Sequence, residues 1–74
     1  MLVKRSLAIA GHRTSLALEP EFWAALEQAA RESGKPLARL VAEIDKSRAD
    51  SPEKSGLASA VRVWLFNHYT KESA

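Results

Sequence analysis

A chain of 74 residues holds one domain at most, and a domain of this size buries only about 60% of the surface its unfolded chain exposes, so it is marginally stable alone. The absence of cysteine excludes a disulfide staple and thiolate metal ligation, while 46% hydrophobic and 27% charged residues are the proportions of an ordinary globular domain. Net charge is only +2, yet the first 18 residues carry Lys4, Arg5 and Arg13 with no acidic residue, and a basic segment of that kind suits a polyanionic partner.

Oligomerisation is the reinforcement left to such a chain. No apolar run is long enough to span a bilayer, and the apolar stretch in MLVKRSLAIAGHR is too short for a signal peptide. The expectation is a bacterial protein of the cytoplasm, without a membrane partner.

Residues 1–12 read as a basic N-terminal arm or an extra strand. Val3, Arg5, Leu7 and Ile9 alternate with Lys4, Ser6 and Ala8, and AGH around Gly11 could turn the chain. Residues 13–18 alternate more clearly, with Thr14, Leu16 and Leu18 forming an apolar set and Arg13, Ser15 and Ala17 a small, basic or hydroxyl set. A hairpin within residues 3–18 competes with pairing between chains, but the Asn-Gly and Asp-Gly turns that signal hairpins are absent.

Pro20 forces Glu19 extended and suits the first helical turn, which Glu19 and Glu21 also favour. Phe22, Leu26 and Ala29, with Trp23 and Ala30 beside them, recur at helical spacing until Gly34, giving a helix over 20–33. After Lys35-Pro36, the stripe Leu37, Leu40, Val41 and Ile44 predicts a second helix to about Arg48. Residues 49–56 read as a loop. Residues 57–71 read as a C-terminal helix with Leu57, Val61, Trp64, Leu65 and His68 on one face and Val63 and Phe66 off it, a wider apolar arc than one partner requires. No repeat and no low-complexity tract is evident.

An isolated strand cannot satisfy its backbone groups. Two copies of residues 13–18 paired antiparallel would remove that deficit, turning Thr14, Leu16 and Leu18 inward and presenting Arg13, Ser15 and Ala17 from each chain on a ribbon narrow enough for the major groove of DNA. The predicted fold is therefore mainly α with one short β-strand per chain: an intertwined homodimer with an intermolecular antiparallel ribbon. Thr14, Leu16, Leu18, Phe22, Leu26, Leu37, Leu40, Val41 and Ile44 would form the dimer core.

The order of strand, proline-led helix, glycine and second helix in RTSLALEPEFWAALEQAARESGKPLARLVAEID resembles the ribbon-helix-helix DNA-binding proteins, the class of the Arc and methionine repressors. The longer stretch KRSLAIAGHRTSLALEPEFWAALEQAA, with LASAVRVWLFNHY, is similar to a bacterial subfamily of small ribbon-helix-helix proteins. The resemblance implies a transcriptional regulator, a repressor for instance, that reads base edges through Arg13, Ser15 and Ala17 at the outward strand positions. Arginine can donate two hydrogen bonds to guanine, serine suits either kind of base, and alanine leaves contact with a thymine methyl. It also implies a phosphate anchor at the start of the second helix, where this chain has Lys35 as a charge and Pro36 in place of an N–H donor. Lys4 and Arg5 are further candidates for phosphate contact.

His12 reads as a turn residue, and Trp23 and Trp64 as core. Catalysis fails on inventory, because there are two separated histidines, no glycine-rich phosphate loop and no H-E-x-x-H spacing, and Glu43 and Asp45 point to different sides of one helix. No enzyme activity, cofactor, metal or small-molecule substrate is expected. The alternatives are a protein–protein module, antitoxin-like or a small adaptor, acting through the C-terminal helix, or a structural oligomer. With few residues after Tyr69, the long toxin-wrapping segment of an antitoxin is not expected.

Overall fold

The computed structural model describes residues 1–50 and 56–73. Two strands, β1 (Val3–Ile9) and β2 (His12–Leu18), are followed by α1 (Pro20–Ser33), α2 (Leu37–Ala49) and α3 (Leu57–Ser73). The helices agree with the sequence reading to within two residues at each end, whereas the expected 49–56 loop lies, over 51–55, outside the described residues.

The strands form a hairpin. Ala10 and Gly11 connect them with φ of 50° and 80°, and positive φ at both central residues is what a type I′ turn requires to follow the right-handed twist of the strands. Gly11 adopts this conformation freely. Ala10 does so against the clash of its Cβ, which disfavours the left-handed region by roughly 1–2 kcal/mol.

This pairing corrects the expected single strand per chain. Residues 13–18 find their partner in their own chain, with Val3 opposite Leu18, Arg5 opposite Leu16, Leu7 opposite Thr14 and Ile9 opposite His12. The reason is that residues 3–9 are a strand two residues away, so the closing loop is as short as a hairpin allows. There are two strands per chain, and the N-terminal segment is the extra strand of the two readings, not an arm.

Most of the residues expected in the core are buried in the chain itself. Leu16, Leu18, Leu26, Leu40, Val41 and Ile44 are each no more than 3% exposed inside a single chain, where they pack with Ile9, Trp23, Ala29 and Ala30. Thr14, Phe22 and Leu37 are half-buried at its margin. The element that completes this core is α3, through Val61 and Leu65, both essentially inaccessible. The radius of gyration is 11.9 Å, close to the roughly 11 Å of a compact chain this long.

Local signals fix the helix ends. Glu19 is extended (φ −61°, ψ 149°) before Pro20, and its carbonyl accepts from the amides of Phe22 and Trp23 at 2.9 and 3.1 Å. Gly34, at φ 69°, closes α1, with its own amide bonded to Arg31 O and that of Lys35 to Ala30 O at 3.0 Å, a Schellman closure. The α3 helix is fastened to α1 by Arg62, which donates to Glu19, and by the Tyr69 hydroxyl, which donates to Ala25 O at 3.1 Å. Among the described residues no helix is long and apolar enough to cross a membrane.

Candidate nucleic-acid interface

The period-two alternation of the strands gives the hairpin two unlike faces. One is packed on the helices. The other holds Lys4 opposite Ala17, Ser6 opposite Ser15 and Ala8 opposite Arg13. All of these are exposed except Ala17, which is half-buried. The face has no acidic side chain, and neither Lys4 nor Arg13 joins an ion pair among the described residues.

Because Lys4 and Arg13 stand four pairs apart on opposite strands, their backbones are separated by about 13 Å along the ribbon. Two strands about 4.8 Å apart make a strip that fits a groove about 12 Å wide. The three outward residues Arg13, Ser15 and Ala17 thus lie in one row, as expected, but the second row comes from β1 and not from another copy. Lys4 shares their face. Ser6 and Ala8 were not singled out from sequence; their alternation with Leu7 and Ile9 was the signal that could have found them.

Arg5 belongs to the other face. Its guanidinium lies 4.5 Å from the Trp23 ring centroid and donates to Glu27 Oε2 at 2.9 Å. Arg5, a candidate for phosphate contact, clamps β1 to α1. Lys35 is likewise engaged, its ammonium 2.6 Å from Glu43 Oε1, with Arg39 3.6 Å from the other oxygen. Lys35, followed by Arg39, holds the Glu43 carboxyl below its ordinary range.

Pro36 turns out to precede the helix as its cap, so it takes no N–H from the first turn of α2, formed by Leu37, Ala38 and Arg39. His12 is exposed beside the turn. Trp23 is 2% exposed and in the core, while Trp64 is half-buried and stacked on His68 with ring centroids 4.8 Å apart. Asp45 pairs with Arg48 at 2.7 Å, so it and Glu43 face separate cations. Among the described residues no group of three or more His, Asp or Glu side chains is assembled that could hold a metal.

Residues 2–69 match the family model described as a ribbon-helix-helix domain. The chain belongs to that family. The match begins before Val3, so β1 lies within the ribbon-helix-helix domain and is not an appendage to it. Ribbon-helix-helix domains are generally those of DNA-binding transcriptional regulators, and the fold is not an enzyme fold. No curated protein and no solved structure matches the chain.

Proposed function

We propose that this ribbon-helix-helix protein binds duplex DNA and regulates transcription by laying the outer face of its β1–β2 hairpin in the major groove. Arg13 and Ser15 meet base edges, Ala17 gives apolar contact beside them, and Lys4 engages the DNA from the far end of the same face. The observation that carries this reading is the ribbon face itself: two cations without an ion pair among the described residues and two hydroxyls, on a strip of groove width that bears no carboxylate.

The test is fluorescence anisotropy with mixed-sequence duplex at about 50 and then about 200 mM salt, where each phosphate neutralised adds roughly 0.9 to the slope of log affinity against log salt. Affinity is expected to fall across that range, and Arg13→Ala to weaken binding without lowering the melting temperature. Absence of binding at the lower salt would end this reading.

A second reading is a protein-interaction module acting through α3. Phe66 and Val63 are 67% and 56% exposed, and Phe66 borders an apolar groove of about 410 Å³ that also involves Phe22, Ala25, Leu65 and Tyr69. A chain that ignores DNA at low salt would favour it.

A further inference from the structure

The groove between α1 and α3 is built from aromatic rings and one available charge. On α3, Arg62, Phe66, Tyr69 and Thr70 recur at helical spacing, which puts them on one side of the helix. With Glu21 and Phe22 at the start of α1 they line a recess of about 410 Å³. That volume lies within the roughly 300–1,000 Å³ of small-molecule sites.

Three of these side chains are aromatic. The face of an aromatic ring carries negative potential and attracts a cation. Phe22 already does so within the fold, with the Arg62 guanidinium 5.7 Å from its ring centroid. Phe66 is 67% exposed, while Phe22 and Tyr69 are half-buried, so ring surface is open to solvent along the groove.

The charges at the groove differ in availability. Arg62 is taken up by Glu19, to whose Oε1 it donates through both Nε and Nη2. The Thr70 hydroxyl turns back on its own helix and donates to Phe66 O at 2.8 Å. Glu21 is exposed and joins no ion pair among the described residues. Glu19, Glu21 and Arg62 together leave one negative charge beside the rings.

An anion would meet the Glu21 carboxylate where Arg62 is already neutralised. An uncharged apolar body would cover that carboxylate without giving it a partner, at a desolvation cost. A calcium ion requires about six or more oxygen ligands, and this groove brings one free carboxylate. An alkylated ammonium suits both features, because its apolar shell packs on ring faces while its charge sits against Glu21.

We infer that the α1–α3 groove is a binding site for a small organic cation with an alkylated ammonium head, which lies on the rings of Phe22, Phe66 and Tyr69 and pairs with Glu21. No residue of the ribbon face lines the groove, so the site is independent of DNA binding.

The experiment is titration of the full chain at constant ionic strength with choline and with its carbon analogue, in which a tert-butyl group replaces trimethylammonium, followed by amide NMR. Choline should shift the amides of Phe22, Phe66 and Tyr69 in the millimolar range and bind about 10-fold more tightly than the carbon analogue. Phe66→Ala should weaken choline by about 2- to 5-fold, the effect of one part-exposed cation–π contact. Glu21→Gln should weaken it by a similar factor that shrinks with added salt, and should leave the carbon analogue unaffected. Both side chains are exposed, so each variant should keep the parent's spectrum away from the groove.

Equal affinity for the two compounds would make the groove a plain apolar pocket and overturn the inference, as would choline that shifts no resonance of the lining residues. A dimer in sedimentation that Phe66→Ala dissolves, without choline binding, would give the groove to a second copy and overturn it likewise. Anisotropy with duplex DNA reports separately on the ribbon.

Discussion

Trp23 Nε1 donates a hydrogen bond to the carbonyl oxygen of Val3 across 2.7 Å, tying the first residue of β1 to the first turn of α1. The indole is 2% exposed, and Arg5 stacks on it from the same strand. One side chain therefore anchors the β1 half of the ribbon. Trp23→Phe keeps a ring beneath Arg5 and removes the donor, and a lost hydrogen bond of this kind is worth about 1 kcal/mol. In a domain of this size that lowers the melting temperature by roughly 4–8 °C. Trp23→Ala adds a cavity, costs about 3–5 kcal/mol and should leave little folded protein. Thermal unfolding followed by circular dichroism checks both, and an unchanged midpoint in Trp23→Phe would show that the bond contributes nothing.

Ala10 is the least favourable residue in the hairpin connection. Its φ of 50° is one that asparagine visits routinely and alanine does not. Ala10→Asn should stabilise the chain by up to about 1 kcal/mol, and Ala10→Val, β-branched in the same conformation, should destabilise it by more. Urea midpoints report the order directly. A parent more stable than Ala10→Asn would argue against a type I′ connection.

The same alanine explains what could and could not be read from the sequence. Pro20 and Gly34 bounded α1 correctly because each acts through its own backbone: proline at the first helical position and glycine in a left-handed closure. The apolar stripes of α1 and α2 named core residues correctly for the same local reason. The partner of β2 was not legible. An Ala-Gly turn carries a weaker signal than Asn-Gly, so the hairpin lacks its usual marker in the sequence. The stripe of α3 by itself reads as surplus to the core that Leu16, Leu40 and Ile44 form. Val61 and Leu65 show instead that α3 closes the core of the single chain. Of the candidate site, the alternation of residues 13–18 puts Arg13, Ser15 and Ala17 in one outward row, which is where the hairpin has them. Nothing local to Arg5 reveals that Glu27 and Trp23 lie under that position.

Leu65 and Phe66 are neighbours in sequence with opposite roles in α3. Leu65 is 2% exposed and Phe66 67%. Leu65→Ala should destabilise the chain by about 2–5 kcal/mol, the range for a buried leucine, whereas Phe66→Ala should change stability by no more than about 0.5 kcal/mol. Denaturant unfolding of the two variants distinguishes an integral α3 from an accessory one. Equal and small effects would mean that the domain core does not need this helix.

Acid should loosen the contact between α3 and the strand-to-helix junction. The Glu19 carboxyl is held below its ordinary pKa of 4.5, first by its own backbone amide and then by Arg62, whose Nε and Nη2 both donate to Glu19 Oε1, at 3.1 and 2.9 Å. A carboxyl depressed in the folded state binds its proton more readily when unfolded, so its stabilisation is present above the ordinary value and disappears as pH falls through the lower folded one. Glu43, depressed by Lys35 and Arg39, acts in the same direction. The melting temperature should therefore decline as pH drops below about 4.5, and Glu19→Gln should flatten part of that decline while lowering stability near neutrality. Both pairs are solvent-facing, so added salt should shrink the effect. Melting temperatures of parent, Glu19→Gln and Glu43→Gln against pH at two salt concentrations test this. If Glu19→Gln follows the parent's acid limb without flattening, the Arg62 contact is not what holds α3 against the start of α1, and the Tyr69 hydroxyl bond to Ala25 becomes the fastening to examine.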